Sequence, residues 1–370
     1  MIAFSDSVQD AAHRAGFFGA RNYNQVTRHA IAGVVRTVGE GMALSRLIEE
    51  VPAHWQRRWG QAPHFVGTFI APNMEWMADY QQLVLQKELP AGSDLPEQIT
   101  KRLRWETLSE FGLRARIGRT LERTGVATVY PELGRVQTAA RELTARLREE
   151  LGQLSAVTEA QVQHFVLGLL TRLRHQGAFF DPVLEGYVAQ QGKSFLLSKI
   201  AWMPGYGSRY RPPAALTMGS VSRFFDAVRS KQSGWYLGWF NKSLAQDQPL
   251  ATAEFEQAYS ITLGLLERSG FLRRLSAGQD QDAWLLQPDQ WLVTARVAEL
   301  ACTDCGHRLP VAAGQHKLWQ QLRCLQHGCL GHYELNELPA NELAYRAAPR
   351  RLVTSEHTGL MEGEKRLAVE

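Results

Sequence analysis

The four cysteines of this 370-residue chain constrain its fold more than any other feature, because all of them lie in one short stretch. They form two close pairs, which read Cys302-Thr-Asp-Cys305 and Cys324-Leu-Gln-His-Gly-Cys329. Four thiolates at these spacings suit a tetrahedral zinc ion, since each pair can wrap one side of the ion through a tight turn, and Gly306 and Gly328 permit those turns. The pattern predicts a structural zinc site, because four thiolates close the coordination sphere and stabilise a segment too small to fold alone.

Two alternatives to a four-cysteine site stay open. His327 or His332 can replace one cysteine as a ligand, because both lie in or beside the same stretch. The cysteines can also form disulfides or remain free thiols, although their clustering in a reducing compartment favours a metal. A catalytic zinc site is not indicated, since the chain has neither an HExxH motif nor the paired motifs of zinc deaminases.

Composition and charge exclude few functions. The chain is 45% hydrophobic and 21% charged, which is ordinary for a soluble protein with room for more than one domain. Its net charge of +4 is compatible with a nucleic-acid partner without requiring one. No stretch approaches the length of an apolar membrane span, and the start lacks the pattern of a secretory signal. We therefore expect a cytoplasmic protein with no membrane partner.

A long helical region interrupted by loops is predicted over 21–219, with one of its packed helices ending at Gly177. Near its end, WMPGYGSRYRPP (202–213) mixes Arg209 and Arg211 with aromatic residues. Such a loop can hold a nucleic-acid strand by phosphate pairing and base stacking. Loops of this composition are more often ordered by proline, with aromatics that pack on a neighbouring domain. Both interpretations of the loop remain open.

A winged helix is predicted over 220–298. SVSRFFDAVRS (220–230) reads as one helix, and FEQAYSITLGLLERSG reads as a second that ends at Gly270. The segments FLRRL and AWLLQ then form a hairpin around a polar turn. Such a unit either contacts duplex DNA, here with Arg273 and Arg274, or serves only to pack against protein, and both uses remain open.

The two ends of the chain resemble a known family. FSDSVQDAAHRAGFF (4–18) and RLVTSEHTGLMEGEKRLAVE (351–370) resemble two separated stretches of large bacterial DEAD/DEAH-box helicases of superfamily 2. The resemblance implies an internal fragment of such an enzyme. Its implied parts are the start of the second RecA-like domain (1–20), a helical insertion (21–219), the winged helix (220–298), a four-cysteine zinc module (299–338) and a return to the second RecA-like domain (339–370).

On this interpretation the strand-like segments MIAF and RLVTS are parallel neighbours, and the polar loops after them meet at one edge of the sheet. In a helicase that edge contacts the nucleic-acid backbone or the nucleotide cleft. The residues expected to contact nucleic acid there are Ser5, Ser7, Gln9, His357 and Thr358. The serines also suit simple capping of a helix.

The chain contains neither a phosphate loop nor an acidic box. ATP and Mg²⁺ would therefore bind only in the complete enzyme, and we do not expect the chain alone to hydrolyse ATP. The predicted function is nucleic-acid binding, to DNA rather than RNA, with the remainder of the helicase motor as a further partner. The alternative is a stand-alone zinc-containing winged-helix protein that binds DNA or acts as an adaptor. The predicted fold is mostly α with a small α/β part: helical insertion, winged helix and zinc module, flanked by an incomplete RecA-like parallel sheet.

Overall fold

The computed structural model describes most of the chain, with side chains from residue 19 onward. The described residues are 8–206, 210–229, 234–244, 250–278, 280–320, 322–336, 345 and 347–351. About 51% of the structure is helical and 14% is strand, which confirms the prediction of a mostly α chain with small sheets. None of the described helices has the length and apolar character that a membrane span requires. The two end strands predicted to be parallel neighbours lie outside the described residues except for Arg351, which pairs with Glu75.

The helices are α1 (Val8–Val38), α2 (Leu44–Trp59), α3 (Ala62–Phe69), α4 (Ala78–Gln86), α5 (Leu95–Phe111), α6 (Leu133–Glu150), α7 (Glu159–His175), α8 (Glu185–Ala189), α9 (Phe195–Ser198), α10 (Trp235–Ser243), α11 (Thr252–Arg268) and α12 (His316–Trp319). The strands are β1 (Met42–Ala43), β2 (Thr128–Pro131), β3 (Leu216–Met218), β4 (Asp226–Val228), β5 (Leu272–Ser276), β6 (Asp282–Leu286), β7 (Trp291–Thr294), β8 (Val297–Cys302), β9 (Arg308–Ala312) and β10 (Tyr333–Asn336). Within the described residues they form three small sheets, in the orders β1-β7-β2, β4-β3-β6-β5 and β10-β8-β9.

The amino-terminal half is a helical assembly built around α1, α2 and α5. On α2 the apolar residues recur at helical spacing, so that Leu44, Leu47, Val51 and Trp55 all lie on the buried face. Trp55 also donates a hydrogen bond from its indole N–H to the carbonyl oxygen of Ala30 on α1, at 3.1 Å. The buried apolar residues continue from this assembly into the sheets as one contiguous core, so the parts of the chain pack on one another.

Helix α7 has clear start and stop signals. Thr158 and Gln161 form a reciprocal capping box at its amino-terminal end. Gly177, which follows its last turn, has a φ of 75°, a conformation that glycine adopts without strain. The predicted helix stop at Gly177 is therefore confirmed.

The predicted hairpin is present, but one predicted helix is wrong. Helix α11 ends at Arg268, Gly270 has a φ of 79°, and β5 pairs antiparallel with β6. The segment 220–230 does not form the expected helix, because its centre forms β4, which pairs in parallel with β3. Two side chains also hold Asp226 there, since Arg172 Nε and the Tyr236 hydroxyl donate to its carboxylate at 2.9 and 2.8 Å. Tertiary contacts therefore override the local helical pattern.

Candidate metal centre

The four cysteines lie at two turns of the β10-β8-β9 sheet. Cys302 ends β8, and Cys305 lies in the turn that leads into β9, where the Gly306 N–H donates to the Cys302 carbonyl at 3.1 Å. Cys324 and Cys329 lie in the segment before β10. The glycines predicted to permit these turns both have positive φ, 66° at position 306 and 73° at position 328. The turn between β8 and β9 and the turn before β10 thus bring the two cysteine pairs together.

The sulfur atoms are placed as metal ligands would be. The four Sγ atoms all lie within 4.8 Å of one another. The Cys302 and Cys329 sulfurs are 3.6 Å apart, as are those of Cys305 and Cys324. A regular tetrahedron of thiolates around zinc has edges of about 3.8 Å, given zinc–sulfur bonds of about 2.3 Å. All four cysteines are free, and a disulfide would need its sulfurs at about 2.05 Å, so the disulfide alternative is wrong.

Two histidines near the site, His307 and His332, are engaged elsewhere. The His332 ring lies 3.3 Å from a carboxylate oxygen of Glu334, and the His307 ring lies 2.8 Å from the hydroxyl of Tyr333. Among the described residues, the group that can hold a metal ion contains the four cysteines and no histidine. This arrangement favours four thiolates over three thiolates and an imidazole.

The ionisation of the thiols is uneven. Burial raises the pKa of Cys302, but hydrogen bonds from the backbone of Cys305 and Asp304 and from neighbouring thiols outweigh it, and the pKa falls to about 7. Burial raises the pKa of Cys324 to about 12. One thiolate is therefore easily formed, whereas the buried Cys324 needs a cation beside it to ionise near neutral pH.

Helix α10 clamps the second cysteine turn. The Lys242 ammonium donates to the carbonyl oxygens of Cys324, Gln326 and Cys329 at 2.5, 3.0 and 3.0 Å. Seven residues earlier on the same helix, the indole N–H of Trp235 donates to the carbonyl of Leu325 at 2.7 Å. The ammonium also places a positive charge beside thiolates that would carry excess negative charge around a divalent ion. Neither contact was visible in the sequence, because α10 and the cysteines are far apart along the chain.

Replacing Lys242 with methionine should weaken metal binding while leaving all four ligands in place. The variant loses three charge-assisted hydrogen bonds to the cysteine turn, and such outer contacts are typically worth about 10–100-fold in metal affinity. The measurement is competition for Zn²⁺ against a chromogenic chelator. Lys199→Met is the matched control. The Lys242 ammonium lies over the ring of Trp239, and the Lys199 ammonium lies over the ring of Phe195, away from the cysteines. Equal affinities in both variants would contradict the clamp.

Of the residues predicted to contact nucleic acid, Arg211, Arg273 and Arg274 have described side chains. Arg273 pairs with Glu185 at 3.3 Å, and Arg274 pairs with Glu267 at 3.2 Å and with Asp282 at 3.4 Å. These carboxylates offset the positive charge of the hairpin. Ser5, Ser7, Arg209, His357 and Thr358 lie outside the described residues, and Gln9 lies in α1 within the part whose side chains are not described.

The loop 202–213 uses its aromatics for packing in its described part. Tyr206 is 7% exposed and accepts a hydrogen bond from the indole of Trp105 at 2.9 Å. Tyr206 and Tyr210 stack on each other with ring centroids 5.3 Å apart. Arg211 is exposed. The packing interpretation is therefore favoured for the aromatics, and base stacking on these rings is not supported.

Comparison of the chain with protein-family models, with curated proteins and with solved structures finds no match. The resemblance of its ends to DEAD/DEAH-box helicases therefore remains a prediction.

Proposed function

We propose that the chain is a nucleic-acid-binding part of a larger ATP-dependent helicase, in which a structural zinc ion fixes a winged-helix unit. The observation that carries the proposal is that α7, β3, α10, α11, β5 and β6 follow one another along the chain, with β3 beside β6 in the sheet. Helices α8 and α9 lie between α7 and β3, and β4 lies between β3 and α10. A helix, a strand, two helices and a hairpin in this order are the parts of a winged helix. In this proposal the unit begins at α7, well before the boundary at 220 expected from the sequence.

Zinc is the ion that best suits the cysteine centre. Thiolate ligands select soft ions, and a closed set of four at tetrahedral spacing favours zinc over magnesium or calcium, which take oxygen ligands. Four thiolates leave no open position for water or substrate, so the ion would have a structural role. Its position against α10 would fix the helix that precedes α11.

The helicase assignment is supported by the two end segments, which resemble helicase stretches in the right order with an insertion of the expected kind between them. ATP and Mg²⁺ belong to the remainder of the motor in this proposal, because the chain has no phosphate loop. The role of the chain would be to grip or guide the strand while that motor hydrolyses ATP.

A stand-alone adaptor is the second candidate, and one observation favours it. The exposed side chains of α11 include Glu256, Gln257 and Ser260, and its one cationic residue, Arg268, is the last of the helix. Arg273 and Arg274 on the adjoining hairpin are paired with carboxylates. A helix face with a single cationic side chain among acidic and neutral ones is a poor match for the phosphate backbone of duplex DNA, so this surface fits contact with protein better. Nucleic acid would then have to bind at another surface.

The purified chain should bind a labelled oligonucleotide in a salt-dependent manner and should not hydrolyse ATP. With four phosphate contacts on a single strand, affinity falls roughly 50-fold between 50 and 200 mM salt, because bound counterions are released. Fluorescence anisotropy with single-stranded and duplex probes measures the binding, and phosphate release measures ATP turnover. Lack of binding to either probe at low salt would favour the adaptor. ATP turnover by the chain alone would contradict the proposal that ATP is hydrolysed by the remainder of the motor.

A further inference from the structure

Two short sulfur–sulfur contacts join the two cysteine pairs of the candidate metal centre. The Cys305 sulfur lies 3.6 Å from that of Cys324, and the Cys302 sulfur lies 3.6 Å from that of Cys329. A disulfide needs its two sulfurs at about 2.05 Å, so each of these contacts is only about 1.5 Å too long for a covalent bond. A small movement of the two turns would therefore allow the thiols to couple across the site.

The four thiols differ in their access to solvent. Cys305 is exposed, Cys329 is partly buried, and Cys302 and Cys324 are buried. A small reagent that arrives from solvent therefore meets Cys305 first. The buried thiol of Cys324 lies within reach of the product of that encounter, because the two sulfurs are already in contact.

The turn that carries the second cysteine pair lies directly against α10. Lys242 and Trp235 donate hydrogen bonds to its carbonyl groups. Between these two residues, a methyl group placed on Gly238 would lie 3.4 Å from a ring carbon of His327, which belongs to the same turn. A contact at this distance leaves no gap between helix and turn. A movement of the turn is therefore felt by α10.

Helix α10 also holds β4, the edge strand of the β4-β3-β6-β5 sheet. The Tyr236 hydroxyl donates to the carboxylate of Asp226 at 2.8 Å, and Arg172 Nε donates to the same carboxylate at 2.9 Å. The guanidinium of Arg172 lies over the ring of Trp235, 5.3 Å from its centroid. Trp235 thus contacts the cysteine turn with its N–H and the ion pair at β4 with its ring.

We propose that the four thiols form a redox switch, in which a hydroperoxide converts them to the disulfides Cys305–Cys324 and Cys302–Cys329 and thereby loosens α10 and β4. The Cys305 thiolate attacks the outer peroxide oxygen, the O–O bond breaks, and water or an alcohol leaves, so that Cys305 becomes a sulfenic acid. The Cys324 thiolate then attacks this sulfur, an S–S bond forms, and the hydroxyl group leaves as water after taking up a proton. A second hydroperoxide oxidises Cys302 and Cys329 in the same way. Each disulfide costs its two sulfurs two electrons, and each hydroperoxide gains two.

Oxidation would change both the ligands and the position of the turn. The thiolate is the form of cysteine that binds a metal, so two disulfides leave no ligand for a zinc ion. Closing the two sulfur–sulfur gaps also shifts the carbonyl groups to which Lys242 and Trp235 donate. This inference rests on the proposed metal centre and does not depend on binding to nucleic acid.

The first test oxidises the zinc-loaded full chain with hydrogen peroxide. A chromogenic chelator follows the release of Zn²⁺, and mass spectrometry of the unreduced digest identifies the disulfides. All of the zinc should be released, with Cys305–Cys324 and Cys302–Cys329 as the main products, and a dithiol with added Zn²⁺ should restore the loaded form. Zinc that stays bound in excess peroxide, disulfides within the pairs Cys302–Cys305 and Cys324–Cys329, or irreversible sulfinic acids as the main products would each overturn the switch.

The second test follows hydrogen–deuterium exchange in peptides from 216–228, which include β3 and β4. Oxidation should speed exchange there roughly fivefold or more, the effect of losing about one hydrogen bond. Trp235→Phe should show the faster exchange already in the reduced, zinc-loaded state. Trp76→Phe is the matched control, since its indole N–H also donates to a carbonyl, that of Asn73, at 2.8 Å in the amino-terminal assembly. It should exchange like the unmodified chain.

The outcomes separate this inference from the proposed function. If peroxide releases zinc but exchange in 216–228 does not change, the link to β4 is overturned and the thiols are not a switch. If the reduced chain binds no zinc, the proposed metal centre fails, and the disulfide map still decides whether the thiols couple across the two pairs.

Discussion

Replacing Cys302 and Cys324 together with serine is expected to abolish metal binding and to unfold the module formed by β8, β9 and β10. Each substitution removes one ligand from a different pair, so neither turn can hold the ion. The apparent free energy of zinc binding in small structural sites is about 10–16 kcal/mol, and in such segments this energy is also folding energy. The loss should therefore exceed what the short three-stranded sheet can recover from its own packing.

The measurement combines metal analysis with hydrogen–deuterium exchange. About one zinc ion per chain is expected in the unmodified protein, because one set of four thiolates holds one ion, and almost none is expected in the double variant. Exchange should become fast in peptides from 297–336 and stay slow in α2 and α5. His332→Ala is the matched control, because it removes a nearby histidine and leaves the cysteines intact. Stoichiometric zinc in the double variant would contradict the four-cysteine site. Loss of zinc from His332→Ala would favour a site of three cysteines and one histidine instead.

The effect of metal loss should extend to α10. The clamp from Lys242 and Trp235 binds carbonyl groups of the cysteine turn, and these carbonyls keep their positions only while the turn is folded. Without the ion, α10 loses its partners and the contacts of Trp235 become free to change. Tryptophan fluorescence should therefore respond to chelation even though no tryptophan is a ligand.

Features set by neighbouring residues were predictable from the sequence, as the cysteine turns and the β5–β6 hairpin show. A turn requires only a few residues in order, and glycine at 306 and 328 supplied the needed conformations. The stop of α7 at Gly177 and the end of α11 before Gly270 follow from the same kind of local signal. The choice of four cysteines over a mixed set needed the structure, because it depends on where the histidine rings lie.

Features set by contacts between distant segments were missed. The segment around Asp226 has a helical pattern, yet it forms a strand because β3 pairs with it and Arg172 holds its carboxylate. Lys242 is an ordinary lysine in the sequence, and only the fold places it on the cysteine turn. The end strands lie outside the described residues, so their pairing remains a prediction.

Replacing Gly168 with alanine is expected to destabilise the protein by about 3 kcal/mol, because overpacking of a rigid core forces neighbours out of place. Gly168 lies in the middle of α7, against α10. A methyl group there would lie 1.9 Å from a ring carbon of Trp239, which is 1% exposed. The ring has little room to retreat, since its indole N–H donates to the carbonyl of Phe165 at 3.0 Å and its other face stacks on Trp235.

Gly264→Ala supplies the matched control for this substitution. Gly264 also lies inside a helix, α11, but an added methyl group there would meet only the flexible end of Arg268, at 3.6 Å. Alanine should therefore stabilise this helix by about 0.5–1 kcal/mol, since glycine has the poorer helix propensity. Urea unfolding followed by tryptophan fluorescence measures both changes in the free energy of unfolding, and opposite signs are expected.

Because Trp239 stacks on Trp235, and Trp235 holds the cysteine turn, Gly168→Ala should also release Zn²⁺ to a chelator faster than Gly264→Ala. Equal stability of the two variants would mean that α7 and α10 are not packed as closely as the 1.9 Å approach requires.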